Sequence, residues 1–179
     1  MKNLAQSGFV NGDLYMLNYF LSYLTLAVLF IVQTTLSRYI DIFGIAPNLI
    51  FVYVLCYAIY NFPVRSAVLC AVAGLIVDLY SGQYIGLNAL LFMYIGIAVS
   101  HFTSTLIKKN VWTSALGVLV ISLLYHTVIL LVDYVIPGYS GFQYPFLRIS
   151  IPTAVYDAVA SLVIALWARK LSIDEIRGL

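Results

Sequence analysis

Residues 63–90 read PVRSAVLCAVAGLIVDLYSGQYIGLNAL, and this stretch decides the fold. An uncharged run over residues 66–77 ends at Asp78, and a second apolar run begins after Gly86-Leu87-Asn88. The segment between the two runs starts with Ser81-Gly82, a pair that is typical of a turn. The pattern predicts two membrane helices joined by a short turn, with one acidic side chain near the end of the first helix.

The composition of the whole chain is that of an integral membrane protein. Of its 179 residues, 63% are hydrophobic and 9% are charged, whereas a water-soluble domain carries about 25% charged residues. The net charge of +2 comes from scattered basic residues, so the sequence does not predict a nucleic-acid-binding surface. Cys56 and Cys70 lie inside apolar runs, where we expect small buried side chains rather than a disulfide or a metal site.

Six apolar segments approach or reach the length that crosses a bilayer, which is about 20 residues with a range of roughly 17–25. They cover residues 19–37, 46–61, 64–80, 87–106, 111–135 and 149–167. We therefore predict an all-α integral membrane protein, with a six-transmembrane-helix bundle over residues 19–167 and terminal segments at 1–18 and 168–179. The first span lacks a small-x-small cleavage site and exceeds the apolar core of a signal peptide, so we expect an anchor.

The basic residues of the loops predict the orientation, because cytoplasmic loops keep an excess of Lys and Arg. With six spans, both termini share one side with the second and fourth loops. That side carries seven basic residues: Lys2, Arg65, Lys108, Lys109, Arg169, Lys170 and Arg177. The other side carries two, Arg38 and Arg148. We therefore predict that both termini are cytoplasmic and that the outer loops are residues 38–45, 81–86 and 136–147.

Ionisable residues within a span are costly, so each one is a candidate for a specific role. Asp78 and Asp133 lie near the outer ends of the third and fifth spans, where a carboxylate can reach interfacial water or bond loop amides. Asp157 lies eight residues into the sixth span, at a depth of about 12 Å for a rise of about 1.5 Å per residue. It therefore lies nearer the middle of the membrane.

Three spans carry faces of small and polar residues. These are Thr153, Asp157, Ser161 and Ala165 in the sixth span, Ser122, His126 and Asp133 in the fifth, and Ala67, Ala71 and Gly74 in the third. We expect these faces to pack against other helices, because small and polar residues permit close approach and interhelical hydrogen bonds. Three interpretations stay open: a bundle whose polar groups bond one another, a polar cavity that binds a ligand, and a path for protons or ions.

The motifs of intramembrane enzymes are incomplete. Residues 138–141 read Gly-Tyr-Ser-Gly and match the Gly-x-Ser-Gly of rhomboid proteases, but no histidine follows His126 to act as the base. The Gly-x-Gly-Asp motif of aspartyl intramembrane proteases is absent from the sequence. His101 and His126 lie in different spans and lack the further ligands of a metal site. We therefore predict a protein that is not an enzyme and that holds no cofactor or metal.

The chain resembles the MreD family of bacterial rod shape-determining proteins. The residues that match are Pro47-Asn48-Leu49, Pro63-Val64-Arg65, Gly74, Asp78, Ser81-Gly82, Gly86-Leu87-Asn88, Pro152 and Tyr156-Asp157. The resemblance implies a non-catalytic, multi-pass protein of the bacterial cytoplasmic (inner) membrane, in contact with membrane lipid. It also implies that the protein binds MreC directly; from the loop lengths considered below, we expect this contact to lie largely within the membrane. Through that complex it would help couple MreB filaments to a SEDS glycosyltransferase and a class B penicillin-binding protein, so that peptidoglycan elongation maintains rod shape.

The candidate residues for structural or partner-positioning roles are Pro47, Asn48, Arg65, Gly74, Asp78, Ser81, Gly82, Gly86, Asn88, Pro152 and Asp157. Gly82 and Gly86 allow backbone angles that other residues avoid, so a short turn can reverse the chain between two helices. Asp78 and Asn88 flank this turn, and we expect them to bond its free backbone amides. An amide side chain still accepts hydrogen bonds, whereas a β-branched residue resists positive φ, so the sequence predicts that Asp78→Asn is milder than Gly82→Val.

MreD proteins also resemble, in fold, the S-components of energy-coupling-factor vitamin transporters. This resemblance implies an alternative function, as a membrane subunit that binds a small molecule or a lipid-linked precursor. The Ala-x3-Ala signature on the first helix of those subunits is missing here, since Ala27 is the only alanine in residues 19–37. No loop between the predicted spans exceeds about a dozen residues, so we expect helix-against-helix recognition of partners within the membrane.

Overall fold

The computed structural model describes residues 2–40, 47–82, 84–106, 111–135 and 146–176. These residues form six α-helices and no β-strand. The helices are α1 (Lys2–Ile40), α2 (Leu49–Tyr60), α3 (Pro63–Ser81), α4 (Leu87–Leu106), α5 (Val111–Val135) and α6 (Ile151–Ile176), the last preceded by a π-helical turn at Phe146–Ser150. The all-α fold class predicted from the sequence is confirmed.

Four of the helices in the described part of the chain are long and apolar enough to cross a membrane. The segments are Met16–Thr35, Pro63–Ser81, Trp112–Val135 and Phe146–Ala168. The two other apolar helical segments, Leu49–Tyr60 and Leu87–Thr103, are shorter. The six predicted helices are therefore present, and four of them have the length and composition of a full span.

The first and last helices extend beyond the predicted spans. α1 begins at Lys2, so most of the expected N-terminal segment belongs to the same helix as the first span. α6 continues to Ile176 and takes up most of the expected C-terminal tail. Several sequence features lie outside the described residues, namely Lys108, Lys109, Arg177, the Gly-Tyr-Ser-Gly motif at 138–141, and residues 41–45 and 136–145 of the predicted outer loops.

α2 lies at the centre of the bundle. Residues 50–60 are all buried, and α2 contacts each of the five other helices. With 12 residues it is about 18 Å long, which is too short to cross a hydrocarbon layer of about 30 Å. A helix that ends at membrane depth leaves backbone N–H and C=O groups that only protein can pair. Polar side chains from the surrounding helices meet this requirement at both ends of α2.

The C-terminal end of α2 is bonded to two neighbouring helices. The side-chain amide of Asn61 donates to the carbonyl of Tyr57 at 2.9 Å, and Ser100 of α4 donates to the carbonyl of Asn61 at 2.5 Å. The hydroxyls of Tyr60 and Ser114 lie 3.2 Å apart and join α2 to α5. We call this end of the bundle the turn end, because Asn61 and the residue after it connect α2 to α3. The opposite end, where α2 and α4 begin, is called the cap end.

α3 and α4 form a closely packed hairpin. A Cβ on Gly74 of α3 would lie 2.4 Å from the carbonyl oxygen of Asn88 and 2.6 Å from the Cα of Ala89. Further along the pair, a Cβ on Gly96 of α4 would lie 2.6 Å from the Sγ of Cys70. Only glycine allows backbones to approach this closely. The approach at Gly74 brings the end of α3 beside the first turn of α4.

The outward faces of the helices are apolar. Phe20, Leu79, Leu116 and Val163 are between 64% and 73% exposed, and they belong to four different helices. A large exposed apolar surface of this kind is stable against lipid or a partner helix but not in water. The fold therefore consists of a central helix, α2, which has polar partners at both ends and is surrounded by helices with apolar outer faces.

Candidate functional site

The first buried carboxylate at the cap end is Asp78, which is fully buried near the end of α3. Its Oδ2 accepts hydrogen bonds from the backbone N–H groups of Gly86 at 2.9 Å and Ala89 at 3.0 Å. Its Oδ1 accepts one from the N–H of Asn88 at 3.1 Å. The first N–H groups of a helix have no partner within the helix and carry partial positive charge. Asp78 therefore caps the N-terminus of α4, as the sequence predicted for the turn amides.

The turn between α3 and α4 depends on glycine backbone angles. Gly82 ends α3 with a left-handed conformation at φ 67°, and its N–H donates to the carbonyl of Asp78 at 3.0 Å. Gly86 also has a positive φ, of 96°. The exposed Ser81 adds a longer bond of 3.4 Å from its hydroxyl to the same Asp78 carbonyl. The predicted turn role of Gly82 and Gly86 therefore agrees with their backbone angles.

The second buried carboxylate is Asp157, which is fully buried within α6. Its Oδ1 accepts a hydrogen bond of 2.8 Å from the backbone N–H of Asn48, the N-cap residue of α2. Its Oδ2 accepts a bond from the hydroxyl of Ser122 and lies 3.4 Å from the Nε2 of His126. The polar face of α6 and the polar face of α5 thus meet at this carboxylate. Asp133, which the sequence placed with Ser122 and His126, is not among the residues that contact Asp157.

Asn48 and Gln33 complete the N-terminus of α2. The side-chain oxygen of Asn48 accepts a bond from the N–H of Phe51 at 3.1 Å. Gln33 of α1 accepts a bond from the N–H of Leu49 at 2.9 Å and donates to the carbonyl of Pro47 at 3.0 Å. This capping explains why α2 begins at Leu49, after Pro47 and Asn48, and not at residue 46 as the sequence predicted. Four helices therefore meet at the α2 cap.

An aromatic cluster joins the two caps. Tyr125 of α5 stacks on Phe51 of α2 with ring centroids 4.4 Å apart, and it meets Phe92 of α4 edge to face at 5.5 Å. Its hydroxyl donates to the side-chain oxygen of Asn88 at 2.7 Å. Asn88 was expected to bond turn amides with its side chain; instead the side chain receives Tyr125, while its backbone N–H bonds Asp78.

A half-open cavity of about 350 Å³ lies beside the α2 cap. The polar side chains on its wall include those of Gln33, Thr34, Asn48, His126 and Thr153. Apolar residues complete the wall, among them Phe30 and Tyr80, whose rings meet edge to face at 5.7 Å. Polar residues of the α2 cap therefore have two roles: they bond the start of α2, and they line this cavity.

The contacts of Ser122, His126 and Asp157 differ from those of a hydrolase triad. In such a triad the histidine takes the serine proton and the carboxylate orients the histidine. Here the Ser122 hydroxyl donates to the carboxylate itself, and Ser122 is fully buried. Within the described residues, no group of three or more His, Cys, Asp or Glu side chains is placed to hold a metal ion. The chemistry that this arrangement supports is hydrogen-bond capping.

Most of the residues singled out by the sequence lie at the two caps. Gly74, Asp78, Ser81, Gly82, Gly86 and Asn88 meet at the α4 cap, and Pro47, Asn48 and Asp157 meet at the α2 cap. Pro152 lies in the first turn of α6, and Arg65 lies at the turn end, where its guanidinium carbon is 5.0 Å from the centroid of the Tyr19 ring.

Sequence reasoning missed two residues that organise the caps, Gln33 and Tyr125. Gln33 carried a detectable signal, because it is the one glutamine within the first predicted span, residues 19–37. A lone side-chain amide in an apolar run needs a polar partner. Tyr125 carried no such signal, since aromatic residues are common throughout this chain.

Comparison with known protein families found a match over most of the chain. The family model described as rod shape-determining protein MreD matches residues 15–173 of the chain. Neither the comparison with curated proteins nor the comparison with solved structures returned a match.

Proposed function

The chain belongs to the MreD family of rod shape-determining proteins, and we propose that it is a non-catalytic membrane scaffold of the bacterial cell-wall elongation complex. In this role the protein lies in the cytoplasmic (inner) membrane with both termini in the cytoplasm. It binds MreC and helps couple MreB filaments to a SEDS glycosyltransferase and a class B penicillin-binding protein. Peptidoglycan elongation along the cell then maintains rod shape.

The observation that carries this proposal is the use of both buried carboxylates as helix caps. Asp78 and Asp157 are each fully buried, and their oxygens accept hydrogen bonds from the backbone at the start of α4 and of α2. In the described part of the chain, every buried side-chain nitrogen or oxygen has a hydrogen-bond partner. A bundle with its ionisable groups engaged in this way supports a role in positioning partners. The family is one of cell-shape proteins and not a known family of enzymes.

The exposed surface favours a partner that has its own membrane helix. The outward faces of four helices are apolar, as at Phe20, Leu79, Leu116 and Val163. The connection from α2 to α3 and the turn from α3 to α4 are too short to form an interface of the usual size, about 800 Å² per partner. Membrane helices associate through close packing and interhelical hydrogen bonds. We therefore propose that MreC is recognised mainly through its transmembrane helix.

Binding of MreC fragments tests this proposal. Three forms are compared against the protein in lipid nanodiscs: full-length MreC, its periplasmic part alone, and its transmembrane span fused to an unrelated soluble domain. We expect the full-length protein and the fused span to bind, and the periplasmic part to bind poorly. Equal binding of the periplasmic part and full-length MreC would contradict recognition within the membrane and assign the interface to the loops.

Affinity purification from the host separates the scaffold role from the alternative. The alternative is a transporter subunit with the fold of an S-component, and the cavity at the cap end is the feature that favours it. Recovery of MreC with the tagged protein supports the scaffold. Recovery of an ATP-binding transporter module in place of MreC would support the transporter subunit.

A further inference from the structure

The cavity at the cap end is a second feature of the molecule that the scaffold role does not use. We propose that it is a binding site for an uncharged group rich in hydroxyl or amide functions, such as a sugar ring. The inference does not depend on the MreC interaction, because it rests on the side chains that line the cavity. The polar side chains that would contact the ligand are those of Thr34, Asn48, His126 and Thr153.

The hydrogen bonds that these side chains already make determine which donors and acceptors remain available to a ligand in the cavity. The side-chain oxygen of Asn48 is taken by the N–H of Phe51, and its NH₂ group has no partner among the described residues. The Nε2 of His126 faces Asp157, and its Nδ1 likewise has no partner in the described part of the chain. When Nε2 carries the proton, Nδ1 is an acceptor. The cavity thus offers a donor from α2, and from α5 a ring nitrogen that accepts in this tautomer.

Two threonine hydroxyls add further acceptors. Thr34 donates to the carbonyl of Phe30 at 3.0 Å, and Thr153 donates to the carbonyl of Ile149 at 2.7 Å. With its proton used within its own helix, each hydroxyl oxygen keeps lone pairs for an outside donor. Hydroxyl and amide groups both donate and accept, so they match this mixture of one donor and several acceptors.

The charge of the wall argues against an ionic ligand. No Lys, Arg, Asp or Glu is among the described residues that line the cavity. Asp157, whose carboxylate contacts Asn48 and His126 of the wall, is fully buried, and its oxygens are occupied by Asn48, Ser122 and His126. Taking an ion out of water is strongly unfavourable unless an opposite charge and further hydrogen bonds compensate. An uncharged polar group avoids that cost.

The size and walls of the cavity limit the ligand further. A volume of about 350 Å³ is near the lower end of the range for small-molecule sites and holds roughly a dozen water molecules. Phe30 and Tyr80 form an aromatic part of the wall. A single ring-sized polar group fits this space, either as the head of a membrane amphiphile or as a free solute.

Native mass spectrometry of the protein released from lipid nanodiscs tests the proposal. Three doping lipids with identical acyl chains are compared: monoglucosyl diacylglycerol, phosphatidylglycerol, and a cationic trimethylammonium lipid. We expect the wild-type protein to retain the glucosyl lipid in preference to the two charged lipids. Thr34→Phe, which fills the cavity, should lower this retention about ten-fold or more. Preference for either charged lipid, or equal retention of all three, would overturn the assignment.

Two further variants distinguish loss of the binding site from a folding defect. One makes the same substitution elsewhere, and the other is a milder change within the cavity. Thr113→Phe makes the same change in an apolar groove of about 320 Å³ that α4 and α5 form at the turn end, and it should leave glucosyl-lipid retention unchanged. Thr153→Val removes one hydroxyl with little change of shape, and we expect retention to fall about two- to five-fold. Equal retention by wild type, Thr34→Phe and Thr153→Val, or equal loss with Thr113→Phe, would refute the site.

Free methyl glucoside separates the two sources of the ligand. Saturation-transfer NMR on the nanodisc-embedded protein detects whether the sugar binds without an acyl chain. A signal that disappears in Thr34→Phe supports the site and shows that the head group alone is sufficient. Retention of glucosyl lipid without binding of methyl glucoside supports the site with an amphiphile as its ligand. Binding of neither probe would overturn the proposal, whatever the outcome of the MreC experiments.

Discussion

Asp78 and Asp157 are equally buried, but the groups that donate to them differ. All three donors to Asp78 are backbone N–H groups, which cannot act as acceptors. Asp157 receives one backbone N–H, from Asn48, and its other two contacts are the hydroxyl of Ser122 and the imidazole of His126. Hydroxyl and imidazole groups can either donate or accept. The two sites therefore differ in their tolerance of a neutral amide side chain.

We expect Asp78→Asn to lower the free energy of unfolding by about 1.5–3 kcal/mol, the range for hydrogen bonds to charged groups. The new NH₂ group would face a backbone N–H where a carboxylate oxygen had accepted a bond. Asp157→Asn should cost less than about 1 kcal/mol, because its oxygen still accepts from Asn48 and its NH₂ can donate to Ser122 or His126. Thermal unfolding in one detergent compares the two. Equal losses would show that charge, and not hydrogen-bond direction, determines stability at both caps.

The structure changes the order of severity that the sequence suggested for Asp78→Asn and Gly82→Val. A Cβ at Gly82 would meet no atom within 4 Å, so Gly82→Val introduces backbone strain without a clash. The left-handed conformation costs an L-residue about 1–2 kcal/mol. The two ranges overlap, so Asp78→Asn is expected to be about as damaging as Gly82→Val. In the same assay Ser81→Ala should be close to neutral, because the Ser81 side chain is exposed and its bond is long.

Gly74 and Gly117 form a matched pair of helical glycines. A Cβ on Gly74 would overlap the backbone of Asn88 and Ala89, whereas one on Gly117 would meet no atom within 4 Å. Gly74→Ala should force α3 and α4 apart and weaken the Asp78 cap, with a loss of about 1–3 kcal/mol typical of overpacking. Gly117→Ala should stabilise by up to about 1 kcal/mol through helix propensity. Thermal unfolding measures both, and a neutral Gly74→Ala would contradict the close approach.

At the scale of elements, α1 is attached to the bundle at a few points. It packs mainly on α2 and α6. Its polar links to α2 include the two bonds of Gln33 at the cap end and a 3.0 Å bond from the Tyr53 hydroxyl to the carbonyl of Ser22. Much of the rest of α1 faces outward, including Phe20 and Ile31. The cap-end half of α1 therefore depends strongly on Gln33.

Gln33→Leu should loosen that half of α1 selectively. It leaves the N–H of Leu49 and the carbonyl of Pro47 without their partner, at a cost of about 1–3 kcal/mol for each group that stays buried. Hydrogen exchange measured by mass spectrometry should become faster at the start of α2 and over residues 27–40, and stay unchanged in α3 and α4. Thr35→Leu, at a neighbouring exposed position, is the control. Unchanged exchange in Gln33→Leu would show that apolar packing alone holds α1.

The two caps differ in how far the sequence could predict them. The α4 cap is local, since Asp78 bonds residues 8 to 11 positions away; of its turn glycines, Gly82 lies between the partners and Gly86 is a partner. The α2 cap joins residues that are far apart, with Asn48 and Asp157 separated by 109 positions. Periodicity identified the polar faces that carry Ser122 and Asp157, but which faces meet depends on helix packing. The start of α2 at Leu49 follows from that packing and was predicted three residues too early.

At the scale of the whole molecule, the bundle has two chemically different ends. α2 and α4 both begin at the cap end, so their positive dipole ends and both buried carboxylates lie there. The turn end holds Arg65, and in the predicted topology it also holds six of the other eight basic residues of the chain. Because positively charged loops are retained in the cytoplasm, this asymmetry predicts that the cap end faces outward.

Cysteine labelling at the two ends of α3 tests this orientation. Phe62 is 67% exposed before the first turn of α3, and Ser81 is exposed at its end. The native Cys56 and Cys70 are buried, so they contribute little background. In spheroplasts, a membrane-impermeant thiol reagent should label Ser81→Cys directly and Phe62→Cys only after lysis. The opposite pattern would place the turn end outside, and the cavity and both caps would then face the cytoplasm. Labelling of both positions in intact spheroplasts would contradict a membrane-spanning α3, on which the scaffold and the cavity proposals both depend.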